Sequence, residues 1–88
     1  MAFYTYILYS ASKDRYYIGS TSDVNERLSR HNAGATTSTK PGRPWIVVYS
    51  EEYPTKDEAV RRENYLKKMK SRRYLETLIR NNRGSSAG

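Results

Sequence analysis

Two tyrosine-rich stretches, FYTYILYS over residues 3 to 10 and RYYIGS over residues 15 to 20, are separated by only four residues, Ala11-Ser12-Lys13-Asp14. No other feature constrains the chain as strongly. Both stretches are aromatic and β-branched rich, the composition that suits a pleated, half-buried surface, and the residues between them favour turns. A connection this short forces antiparallel neighbours, so residues 3 to 20 are expected to form a β-hairpin. In its first strand Phe3, Thr5, Ile7 and Tyr9 share one face and Tyr4, Tyr6 and Leu8 the other, and both faces are apolar enough to need covering. The hairpin also carries Tyr6 and Tyr17 onto adjacent strands.

Later segments supply the cover. Thr21-Ser22-Asp23 offers N-cap candidates for a first helix over about residues 23 to 33, in which Val24, Leu28 and His31 keep helical spacing and Gly34 suits a left-handed C-terminal cap. The polar segment 35 to 44 reads as a loop and WIVVYS, Trp45 to Ser50, as a third strand whose direction the sequence leaves open. Thr55 and Glu58 match a capping box, Thr55 bonding to the Glu58 amide while the carboxylate reaches back. It opens a long helix to about Lys70, and helical spacing resumes from Arg72 to Asn81 through Leu75, Leu78 and Ile79. The expected order is β-β-α-β-α-α: an α/β chain of the α+β kind, a three-stranded sheet flanked by helices. Residues 1–82 are expected to form one domain, with residues 83–88 a disordered tail that has nothing to bury.

The 88 residues leave room for one modest core, because a domain of this size buries only roughly 60 to 65% of its unfolded surface. With no cysteine there is no disulfide framework, thiolate zinc site or cysteine nucleophile, and a single histidine excludes the common zinc spacings. No stretch approaches the roughly 20 apolar residues of a membrane span, and the N-terminus lacks a leader pattern, so a soluble cytoplasmic protein, taken as a monomer, is expected. The formal charge of +7 is concentrated late: residues 1 to 55 carry six Lys/Arg against five Asp/Glu, residues 56 to 88 ten against four. Such a surface attracts polyanions, nucleic acid foremost, although a lysine-rich helix serves equally for solubility.

Several residues break the pattern. The core stripe of the long helix runs Ala59, Glu63, Leu66, Met69, so a carboxylate sits among apolar positions. Burying it unpaired would cost several kcal/mol, and compensation must come from a metal ion, another cation or a network with Arg27 or a tyrosine. Arg27 and His31, four apart, border the Val24 and Leu28 stripe and point toward the strands. The arginine could neutralise phosphate and the histidine move a proton; equally, one could snorkel and the other be a hydrogen-bonded histidine near a helix end. Tyr6 and Tyr17 taken singly are core tyrosines. Lys67, Lys68, Lys70, Arg72 and Arg73 cover more than one helical face, as phosphate contacts or as plain solvated surface.

Together these residues resemble the GIY-YIG nuclease superfamily. Tyr17-Ile18-Gly19 is its YIG as it stands, ten positions separate Tyr6 from Tyr17, and Thr5-Tyr6-Ile7-Leu8 is similar to the first half-motif with its tyrosine kept and the preceding glycine and isoleucine replaced by Tyr4 and Thr5. Ser20 to Val24 followed by Arg27, then His31-Asn32 and Gly34, resembles the family's arginine and histidine helix, and Arg61-Arg62-Glu63 its glutamate helix. Several family nucleases carry an asparagine beyond that glutamate, whereas Arg73 to Leu78 contains none. The match spans roughly residues 4 to 79 and is closest to the small single-domain bacterial branch.

The resemblance implies a three-stranded antiparallel sheet with a site on its face. There, Glu63 would hold one Mg2+ or Mn2+, Arg27 would balance phosphate charge, and Tyr17 or Tyr6, with His31 nearby, would activate water. The implied activity is metal-dependent endonucleolytic cleavage of DNA, selective for unusual structures and of use in repair or recombination, with Lys67, Lys68, Lys70, Arg72 and Arg73 as nucleic-acid contacts. RNA is a secondary partner, and neither a membrane nor a small-molecule cofactor is implied. A non-catalytic nucleic-acid-binding module on the same fold is the alternative; nothing positive marks a protein–protein adaptor.

Overall fold

The computed structural model of the chain describes residues 2–37, 39–69 and 71–86, with side chains up to residue 81. The hairpin forms as its sequence dictates. Strand β1 (Phe3–Ser10) runs antiparallel to β2 (Arg15–Thr21), and Asp14 at φ 51° takes the left-handed conformation of the turn, which aspartate tolerates better than most residues. The register sets Tyr6 against Gly19 and Leu8 against Tyr17. Strand β3 (Trp45–Tyr53) pairs antiparallel on the other side of β1, giving the order β2-β1-β3. The direction left open by the sequence is thus settled, and β1 is the central strand.

Being central, β1 is buried on both faces from Thr5 to Leu8. Helix α1 (Val24–Asn32) covers one face, where Tyr6, Leu8 and Trp45 pack with Val24, Leu28 and Val47. Helices α2 (Lys56–Met69) and α3 (Arg72–Ser86) cover the other, where Ile7, Ile18, Leu66 and Leu75 form a second cluster. The register against β3 slips between Ile7 and Leu8, pairing them with Tyr49 and Val47. This bulge lets Val48 and Tyr49 both pack on the Ile7 cluster while Val47 stays with Leu8.

The caps follow the sequence closely. The Asp23 carboxylate accepts the Glu26 amide at 3.0 Å, and Gly34 sits at φ 81°, a conformation that favours glycine after a helix. The Glu58 amide donates to Thr55 Oγ1 at 3.3 Å, but the Glu58 carboxylate meets the Thr55 hydroxyl, at 3.0 Å, where the capping box predicts the Thr55 amide.

One expectation fails locally. Met69 is 43% exposed, in contrast to Ala59 and Leu66 of the same stripe, which are buried. It is the last residue of α2, and the chain then turns so that Leu75 of α3 takes the next place in the core, leaving no layer over Met69. Helix α3 continues to Ser86; once a helix is nucleated, each further residue adds one hydrogen bond. Residues 87 and 88 lie outside the described residues. No helix among the described residues is long and apolar enough to cross a membrane.

Candidate active site

Tyr6 sits at the middle of the central strand and is 2% exposed. Directly opposite, Gly19 presents bare backbone to it: a Cβ on Gly19 would stand 2.5 Å from the Tyr6 hydroxyl and 2.7 Å from the ring carbon that bears it. The glycine of the YIG tripeptide is therefore the space into which the Tyr6 phenol packs. Tyr17, beside Leu8 in the register, lies on the same face, and its ring meets the His31 imidazole edge-on with centroids 4.9 Å apart.

His31, in the last turn of α1, is buried. Its Nδ1 lies 2.8 Å from Thr39 Oγ1, whose hydroxyl donates to the Thr36 carbonyl at 3.3 Å. With that proton committed, Thr39 accepts from Nδ1–H, which leaves the Nε2 lone pair facing the Tyr6 hydroxyl at 3.4 Å. Burial, and secondly the Arg27 charge, hold the His31 pKa below its ordinary value, so the ring is neutral at pH 7. The Tyr6 phenol is pushed well above its ordinary range, first by burial and then by Tyr17, with Glu63 raising it further and Arg27 opposing. Tyr6 therefore keeps its proton in the resting protein.

Arg27, one helical turn before His31, is half-buried, and its Nε is buried with no hydrogen-bond partner among the described residues. Its side chain lines a cavity of about 180 Å³ where β2 leads into α1, shared with the hydroxyl residues Ser20, Thr21 and Ser22 and with Lys56 and Ala59 of α2. Across β2, Ser20 faces α2 and donates its hydroxyl to Glu63 Oε1 at 2.6 Å. Lys67, a turn further along α2, donates to Glu63 Oε2 at 2.6 Å. The Glu63 side chain is only 17% exposed. The compensation that the apolar stripe demands thus comes from Ser20 and Lys67, with no direct bond to Arg27 or a tyrosine.

Tyr6, Tyr17, Arg27 and His31 gather on the α1 side of the sheet, and Glu63 reaches the same stretch of β2 from the α2 side. The expected nucleic-acid contacts are more dispersed. Lys67 is tied to Glu63, and Arg72 binds Asp14 at 2.5 Å and Glu76 at 3.1 Å while its guanidinium stacks on the Tyr16 ring. Lys68 and Arg73 are exposed, and Lys70 lies outside the described residues. Sequence reasoning missed Ser20, Thr39 and Lys56. Lys56 left a signal, a cation in the positive first turn of a helix, where acidic residues are favoured; Thr39, in a loop, left none.

Residues 2–75 match the GIY-YIG catalytic domain family, so the chain belongs to that family. It is 40% identical over 65 residues to a UPF0213 protein of Staphylococcus haemolyticus, covering 73% of this chain and 78% of the relative. With a UPF0213 protein of Staphylococcus aureus it shares 46% identity over 52 residues, 58% of this chain and 63% of that protein, just under two thirds of the relative's length. The solution NMR structure of a UPF0213 protein from Bacillus halodurans has a similar fold, with a TM-score of 0.52 and 38% identity, over 90% of this chain and 83% of that one. The three-stranded antiparallel sheet and its flanking helices are thus the fold of a small bacterial branch of the family.

The donor set fits one kind of metal ion. Among the described residues no three His, Cys, Asp or Glu side chains converge, so no cage of such side chains forms there. A magnesium-like ion that keeps most of its water and needs one or two carboxylates plus a substrate phosphate is compatible with Glu63 alone. Glu63 already holds the Lys67 ammonium, 49% exposed, at Oε2. A partly exposed i,i+4 pair of this kind is worth only about 0.3–0.5 kcal/mol, so it yields readily to a stronger cation.

The geometry generates two predictions. Gly19→Ala will drive a methyl group into Tyr6 and cost about 1–3 kcal/mol, the usual penalty for overpacking, measurable by urea denaturation and accompanied by displaced Tyr6 ring resonances. His31, the single histidine, is held neutral, so the unfolded chain binds the extra proton first. Stability is full above about pH 6.5 and falls as pH drops below it toward the lowered folded pKa. Urea midpoints will therefore decline between about pH 7.5 and 5.5 in the wild type, and His31→Gln will flatten that decline.

Proposed function

We propose that the chain is a divalent-metal-dependent endonuclease that hydrolyses DNA phosphodiester bonds. One observation carries this reading: half-buried Arg27, whose Nε has no hydrogen-bond partner among the described residues, lines a cavity together with Lys56 and three hydroxyl residues, beside the Ser20 that binds Glu63. A pair of cations and a ring of donors at the exposed edge of a sheet is a receptor for a phosphate, and a carboxylate next to it is a receptor for the cation that accompanies phosphate.

The side chains then have distinct tasks. Arg27 binds the scissile phosphate and stabilises the charge that develops on it during in-line attack by water, and Lys56 holds the same group from the α2 side. Glu63 would hold Mg2+ or Mn2+, which when bound supplies Lewis-acid stabilisation of the phosphate and of the departing 3′ oxygen. Tyr6 cannot act as a preformed phenolate, because burial disfavours the charge. It can nonetheless take a proton from water at its hydroxyl oxygen while passing its own to His31 Nε2, 3.4 Å away, with Nδ1–H anchored on Thr39. Tyr17, packed on His31, positions the ring for that transfer and is the other tyrosine within reach of the site.

Selectivity for branched, nicked or otherwise irregular DNA suits a protein whose helices all pack on the sheet, and a task in DNA repair or recombination is consistent with it. Lys68 and Arg73, with Lys67 and Arg72 when released from their carboxylates, extend the basic surface along α2 and α3. The alternative of a non-catalytic binding module is separated from this reading by experiment. With magnesium or manganese, wild-type protein is expected to nick supercoiled plasmid and forked DNA, and Glu63→Gln and Arg27→Ala to lose about 10²–10³-fold in rate while remaining folded by circular dichroism. Equal nicking by all three proteins would overturn the assignment, and salt-sensitive binding without nicking by any of them would establish the binding module.

A further inference from the structure

A second cavity, of about 360 Å³, lies at the turn end of the hairpin, between β2 and the short 3₁₀ turn Lys40–Gly42. Its lining includes Lys13, Arg15, Tyr17, Thr39, Gly42 and Trp45. That volume is within the roughly 300–1,000 Å³ typical of small-ligand sites, and its walls are already fixed. The Trp45 indole N–H donates to the Thr39 carbonyl at 2.7 Å. Gly42 lies flat against the indole, where a Cβ would come within 2.5 Å of the ring. The Tyr17 ring meets Trp45 edge-on with centroids 6.3 Å apart. At the mouth, Lys13 and Arg15 are exposed and, among the described residues, take part in no ion pair, unlike Lys67 and Arg72. Lys40, also exposed, opens the 3₁₀ turn beside them.

Tyr17 belongs both to this cavity and to the site around His31, and β2 connects the two. Along that strand Tyr17 and Thr21, which lines the Arg27 cavity, are separated by about 13 Å at the usual rise per residue. Neighbouring bases in a duplex stay stacked about 3.4 Å apart along each strand, so a base can enter an aromatic-walled cavity set to one side only by leaving the stack. We propose that this cavity binds one unpaired nucleotide of the DNA strand, its base against Tyr17 and the edge of Trp45 and its phosphate on Lys13 and Arg15. The favoured substrate is then DNA with a single-stranded nucleotide flanking the bond that is cut. The strand's path rests on the nuclease reading; the cavity's affinity for an unpaired nucleotide does not.

Trp45 is the single tryptophan of the chain and therefore an internal reporter. Glu63→Gln protein, without metal, is titrated with a short oligothymidylate and separately with a blunt-ended two-stranded DNA duplex of equal phosphate number, and Trp45 fluorescence is followed. Oligothymidylate is expected to quench Trp45 saturably and the blunt duplex to leave it unchanged. Adding Lys13→Ala with Arg15→Ala should weaken oligothymidylate binding about tenfold, while Arg61→Ala with Arg80→Ala, exposed arginines of α2 and α3 away from the cavity, changes it less than about twofold. The proposal is overturned by an absent quench, by an equal response to the blunt duplex, or by equal losses from the two double substitutions. Plasmid nicking by the wild type is scored separately: nicking with no Trp45 response sinks the nucleotide cavity alone, and a Trp45 response with no nicking sinks the nuclease alone.

Discussion

The structure turns on the contact between the Tyr6 phenol and the bare backbone of Gly19. A tyrosine in the central strand of a small sheet would ordinarily bury its ring and send its hydroxyl to the nearest solvent. Here the missing Cβ lets the ring lie across β2, so that the hydroxyl ends inside the protein beside His31. The rest of the polar site is arranged about that position. Tyr17 is brought alongside by the hairpin register, His31 and Arg27 arrive one turn apart from α1, and Ser20, next in the chain after Gly19, reaches through to Glu63.

Burial on both faces of β1 explains why a site built on Tyr6 of the central strand opens to solvent only along β2, at the edge of the sheet. Helix α1 closes one face and α2 with α3 the other, leaving β2 as the place where side chains from both layers can meet a solvent-borne ligand. The same division separates the electrostatics. Arg27 and Lys56 converge on one cavity, whereas Glu63 faces Ser20 and Lys67 without neutralising Arg27 directly. The half-buried Arg27 guanidinium and Glu63 carboxylate thus make no direct bond to each other, and the cost of burying each is offset by two well-packed apolar clusters.

Much of this was legible in the sequence because its causes are local. The hairpin follows from a four-residue connection, α1 from Asp23 and Gly34, and the α2 start from Thr55 and Glu58. Glu63 was visible as a carboxylate in an apolar stripe, and its partner Lys67, four residues on, obeys a spacing that could have been read. What escaped depended on contacts remote in sequence. The pairing of β3 with the far side of β1, Ser20 beneath Glu63 and Thr39 behind His31 are set by tertiary packing, which leaves no periodic trace. Met69 kept the spacing of the stripe but lies beyond the end of the layer it was expected to join. The early basic residues Lys13 and Arg15 were concealed by a nearly even charge balance over residues 1 to 55, because a sum over the chain does not show that they stand together at one cavity, without an ion-pair partner among the described residues.

The central claim is that Glu63 and Arg27 form a joint receptor for a cation and a phosphate around Tyr6. It is tested most directly by NMR of wild-type protein bound to a phosphorothioate-protected forked oligonucleotide, with the Glu63 carboxyl carbon and the Lys67 Nζ followed as magnesium is added. The account predicts a saturable shift at Glu63 together with release of Lys67 from its ion pair, both abolished by Arg27→Ala. Unchanged Glu63 and Lys67 resonances at saturating magnesium, with the oligonucleotide still bound, would contradict it.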